Sequence, residues 1–135
     1  MTGIIIDPEK HTVGTILLPN QSDRVLHSAL KKELNCPEVV FQLELWCRDV
    51  LVVDYRGHEY ARNLPFKFYN NTMVFGKAIL LGADRVQNVL QDPALHKSEV
   101  RGMVTFLETD AVPNEIRVKI MEDLIFHRKT NPLKD

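Results

Sequence analysis

Two aspartates stand where strand-like runs give way to turns, and carboxylates brought together in pairs are the usual means of acid–base chemistry. Asp7 follows Gly3–Ile6, and Asp54 follows Val50–Val53. If the two runs are neighbours in one sheet, their ends bring the carboxylates together. An Asp that starts a turn also caps its own turn amides, and that reading asks for no ligand. The five histidines, His11, His27, His58, His96 and His127, are scattered with no HxH or HxxxH spacing, so they lack the convergence a metal site needs. Ser22, Ser28 and Ser98 lie in no nucleophile elbow, and there is no glycine-rich phosphate loop. Cys36 and Cys47 are eleven positions apart with no CxxC, and read as free, half-buried thiols. No catalytic residue, metal or cofactor is therefore assigned. A hydrolase built on Asp7, Asp54 or His58 stays as an alternative.

Binding chemistry is denser in one place. The stretch His58–Asn71 reads as a long loop carrying His58, Tyr60, Arg62, Asn63, Lys67, Tyr69, Asn70 and Asn71. Aromatic faces stack on bases and Arg or Lys engages phosphate, so such a loop could hold a nucleotide. The plainer alternative anchors Phe66 and Phe68 in the core and leaves the polar residues solvated.

Positioning these groups requires a framework. Gly3–Asp7 and Thr12–Leu18, separated by Asp7-Pro8-Glu9-Lys10, predict a β-hairpin, with a bulge expected at Gly14. Ser22 is the expected N-cap of an amphipathic helix whose stripe is Val25, Leu26, Ala29, Leu30 and Leu34. Val39, Phe41, Leu43 and Leu45 alternate as in a half-buried strand. Val50–Val53 forms the next strand after a turn at Arg48-Asp49, and Gly57 supplies positive φ to the turn that ends it. These runs read as an antiparallel meander. Val74–Gly82 is a central strand covered on both faces. Residues 95–107 fit either a helix capped by Ser98 or a strand at Met103–Leu107. Pro113 opens a final helix to about His127, with Ile116, Ile120, Met121, Leu124 and Ile125 along one side as an oligomer or partner interface.

Composition sets outer limits. The 135 residues suit a single domain, with 44% hydrophobic and 26% charged side chains in ordinary globular balance. The net charge of −1 disfavours non-specific nucleic-acid binding, which draws on an excess of Lys and Arg. No run approaches the roughly 20 apolar residues of a membrane span. The start of the chain has no basic region and meets Asp7 too early for a signal peptide, so the expected location is cytoplasmic.

The ordered series IIIDP, VLVVDYRG, an aromatic and Asn-bearing loop, and FGKAILLG, spanning roughly Ile4–Leu107, resembles a small family of unknown function carried by bacteriophages, prophages and other mobile elements. The family has no assigned catalytic residues, and two features depart from it. His58-Glu59-Tyr60 follows Gly57 where members often read Asp-x-x-Gly-Leu, and the helix from Pro113 is an addition to the common core.

The expected fold is α+β: a mainly antiparallel sheet of about five strands, one packed amphipathic helix and a C-terminal helical addition, with residues 1–109 as core and 110–135 as extension. The resemblance, the loop and the added helix together point to a non-enzymatic phage or mobile-element accessory protein that counters bacterial immunity. It would bind a host defence protein or sequester a nucleotide signal, as a homo-oligomer in the host cytoplasm. The alternative is an oligomeric interaction or regulatory module.

Overall fold

Turn chemistry shapes the first hairpin as its residues predict. In the computed structural model, which describes residues 1–20, 23–59, 63–84, 86–87 and 89–107, β1 (Thr2–Asp7) and β2 (Thr12–Leu17) pair antiparallel. Asp7 Oδ1 accepts from the amides of Glu9 and Lys10 at 3.0 and 3.3 Å, and His11 takes φ 54° to complete the turn. Gly14 faces Ile5 in an unbroken register, so the bulge expected at Gly14 is absent. The first helix, α1 (Asp23–Glu33), buries Leu26 and Leu30, and Leu34 just beyond it is buried as well. Val25, expected on the same stripe, is instead exposed. The helix ends in a Schellman arrangement, with Cys36 N donating to Lys31 O and Asn35 N to Lys32 O, and Asn35 at φ 50°. The expected cap Ser22 lies outside the described residues.

Two further corrections concern the next hairpin. β3 (Val39–Glu44) and β4 (Asp49–Asp54) pair antiparallel, but the register shifts between Phe41 and Leu43, leaving Gln42 as a bulge. Val40, Phe41 and Gln42 are all buried, so the strand is covered on both sides rather than alternating. Arg48, at φ 75°, makes the turn, while Asp49 belongs to the strand and is fully buried. Gly57 opens a single 3-10 turn, Gly57–Glu59, and Gly76 is the glycine that takes positive φ. What requires glycine at 57 is crowding, since a Cβ there would stand 2.9 Å from Phe75 O.

The stretch read as a long loop contains β5 (Pro65–Phe68), which turns through residues 69–71 into β6 (Thr72–Phe75). Phe66 and Phe68 alternate with Lys67, the period of a strand, and both rings are fully buried. Val74–Gly82 is likewise not one strand: a bend at Gly76-Lys77 separates β6 from β7 (Ala78–Asp84). β8 (Val89–Gln91) follows, then α2 (Lys97–Met103) and β9 (Val104–Phe106). Both alternatives for residues 95–107 are thus realised in succession. The N-cap of α2 is His96 rather than Ser98, in a capping box with Glu99.

The main sheet has the order β2-β1-β7-β4-β3, with β8 pairing β7, and every neighbouring pair is antiparallel. It is not a meander, because β7 inserts between the two hairpins. β5 is the centre of a second, three-stranded antiparallel sheet, β6-β5-β9. One face of the main sheet packs Phe41, Val50, Val52, Ile79 and Leu81 beneath α1. The other packs Ile6, Leu51, Val53 and Leu80 against Phe66, Phe68 and Val74 of the small sheet and Val100 of α2. Three layers result, which is why β4 and β7 are apolar nearly throughout. The fold is α+β and mainly antiparallel. Among the described residues no helix is long and apolar enough to cross a membrane. The helix expected from Pro113, with Ile116, Ile120, Met121, Leu124 and Ile125, and the division at residue 110 lie outside the described residues.

Candidate functional site

Strand register brings Asp7 and Asp54 to the same end of the sheet. Ala78 of β7 pairs with Ile6 on one side and with Val53 on the other, so β1 and β4 run the same way past it. Each strand then ends one residue later in its aspartate, with Lys77 between the two columns. A cleft of about 530 Å³ opens here, within the range of small-ligand sites. The first hairpin turn contributes Asp7 and Glu9, the end of α1 contributes Glu33, Leu34 and Asn35, and Asn63, Leu64, Phe75, Gly76 and Lys77 complete much of the lining.

One wall of this cleft is closely built. Asn63 Nδ2 donates to Gly57 O at 2.9 Å, and Gly76 N donates to Leu64 O at 3.0 Å. Gly76 has φ 82°, and a Cβ there would stand 3.1 Å from Asn63 Cγ, so both conformation and space call for glycine. Cys36, next to Asn35, donates through Sγ to Glu38 O at 3.4 Å. Burial, reinforced by the charge of Asp54, pushes its thiol from 9.0 up to about 11, which keeps it protonated and a poor nucleophile. Cys47 is also free and half-buried.

The two aspartates serve their turns. Asp7 Oδ1 caps two amides, and Asp54 Oδ1 accepts from Arg56 N at 2.9 Å. Among the described residues, no group of three or more His, Cys, Asp or Glu side chains is arranged to hold a metal ion. The described lining carries the carboxylates of Asp7, Glu9, Glu33 and Asp54 against the single ammonium of Lys77. Such a balance repels phosphate and attracts cationic groups.

The residues expected to form one binding loop are divided by β5. Asn63 lines the cleft, and His58 lies in the 3-10 turn. Lys67 is a half-buried residue of β5. Tyr69, Asn70 and Asn71 form the turn at the other end of β5, all at positive φ (29°, 53° and 61°). Tyr60 and Arg62 lie outside the described residues. At that far turn the Tyr69 ring meets Trp46, with centroids 5.2 Å apart and planes at 48°. Glu9, Glu33 and Lys77 carry no sequence pattern that points to a site. The available signal is that two strands end in Asp, which locates the sheet end once the strand order is known. Comparison with protein-family profiles, with curated proteins and with solved structures finds no match.

Proposed function

We propose that this protein acts by binding rather than by catalysis, and that the cleft between the Asp7 and Asp54 strand ends receives a cationic segment of a partner protein. The supporting observation is the composition of the lining: among the described residues, four carboxylates surround one lysine, with Leu34, Leu64 and Phe75 giving apolar contact. One oxygen of each aspartate is committed to turn amides, which suits a fixed electrostatic surface better than proton transfer. The sequence resemblance to proteins of phages and mobile elements supports placing the partner among host defence proteins, in the cytoplasm of a bacterial host. Charge repulsion favours that target over a sequestered nucleotide.

Titration of the full chain with an arginine-rich peptide and, separately, with a cyclic dinucleotide tests the reading. Peptide affinity should fall at least tenfold in a Glu9→Gln/Glu33→Gln variant and fall again as salt is raised. Tight nucleotide binding with no peptide binding would overturn it.

A further inference from the structure

The Met1–Leu18 pair fixes which way the backbone of β2 points. Met1 N donates to Leu18 O at 2.7 Å and Leu18 N donates back to Met1 O at 2.8 Å, so this is a hydrogen-bonded pair. Such pairs alternate along an antiparallel ladder, and the unbroken register makes Gly3↔Ile16, Ile5↔Gly14 and Asp7↔Thr12 the others. Val13, Thr15 and Leu17 therefore turn their N–H and C=O groups away from β1. An independent contact agrees: Val13 O accepts from Arg101 Nη2 at 3.3 Å, from the side away from β1. Among the described residues β2 pairs with no strand but β1.

At its Val13 end this edge is guarded, since α2 packs there, Val13 is buried and Arg101 reaches its carbonyl, whereas Thr15 and Leu17 are exposed. TVGTIL contains no charge and no proline, and its register holds no bulge. At its end Leu17 is 84% exposed, the second most exposed large apolar side chain among the described residues.

We propose that the β2 edge is a dimer interface, on which a second copy of this chain adds its own β2 antiparallel. The outward groups allow a two-fold axis at Thr15. Thr15 then exchanges both hydrogen bonds with the partner's Thr15, while the partner's Leu17 falls opposite Val13, whose carbonyl already accepts from Arg101. Opposite residues in an antiparallel pair share a face, so Leu17 lies against the partner's Val13 and loses its exposure. Ile16 lies against the partner's Gly14. That accounts for a glycine in a regular strand, where a Cβ would meet nothing closer than 3.9 Å within its own chain. With no charge on the strand, two copies meet without repulsion. The interface is separate from the acidic cleft and does not depend on that reading.

Light scattering of the full chain at about 100 μM should give twice the 15.5 kDa of one chain. Thr15→Pro removes only an outward N–H, which an edge strand tolerates. It should halve the mass while leaving far-UV circular dichroism and the melting midpoint of the monomer in place. Leu17→Lys, an edge charge of the kind that blocks strand addition, should do the same. In the wild-type dimer the amides of Thr15 and Leu17 should exchange with deuterium at least tenfold more slowly than in either variant. A monomeric wild type would overturn the proposal. So would a dimer that survives both substitutions, or one in which those two amides exchange freely, as when another surface or the chain beyond residue 107 makes the contact.

Discussion

Asp49 holds two distant segments together through both of its carboxylate oxygens. Fully buried at the start of β4, it accepts from Ala94 N at 2.8 Å and from Leu95 N at 2.9 Å. A charged acceptor contributes about 1.5–3 kcal/mol per bond, and removing it leaves two part-buried amides without that acceptor. Asp49→Ala should therefore lower the urea-unfolding free energy by about 3 kcal/mol or more, while Asp49→Asn, which keeps one acceptor oxygen, should cost about half as much. Cys36 gives a second measurement at this scale. Its folded thiol is raised from 9.0 to about 11, so the native state binds more protons than the unfolded chain between those values. Its contribution to stability is complete below pH 9 and is lost as pH rises through 11. Iodoacetamide should label Cys36 in the folded protein more slowly at about pH 8–9 than in the urea-unfolded chain, with the rate climbing toward pH 11.

At the scale of elements, two glycines distinguish tight approach from open space. A Cβ on Gly82 of β7 would lie 2.3 Å from Asp92 O, a backbone atom, just where Thr2 N donates to Asp92 Oδ1. Gly82→Ala should force β8 away from β7 and cost about 2 kcal/mol or more in denaturant unfolding. Gly102 in α2 is the opposite case: a Cβ there would meet nothing within 4 Å, and its φ is an ordinary negative one. Gly102→Ala should stabilise by about 0.5–1 kcal/mol through helix propensity. Element boundaries were legible where local chemistry decides them, as in the Asp7 turn and the Leu26/Leu30 stripe. The strand β5 was hidden because it is four residues long, begins on the breaker Pro65 and is flanked by Asn63 and Asn70. The bulge at Gln42 was hidden for another reason: its Nε2 donates to Met73 O of β6 at 2.8 Å, and this bond exists only once the two sheets are stacked.

For the whole molecule, β7 joins the two cores. Ile79 packs under α1 and Leu80 faces the small sheet, and both are fully buried. Ile79→Ala and Leu80→Ala should each cost about 2–5 kcal/mol. Because one strand carries both faces, far-UV and near-UV circular dichroism should report a single transition in each variant. Residue chemistry alone determined the α+β class, the first hairpin, the amphipathic helix and the aspartates that end β1 and β4, since turn capping and periodicity act over a few residues. Only the tertiary structure decided that β7 lies between β1 and β4, which puts Asp7, Asp54 and Lys77 at one sheet end and leaves β2, among the described residues, with β1 as its one strand partner. Strand order rests on burying both faces of β4 and β7 together, a long-range condition that no local pattern encodes.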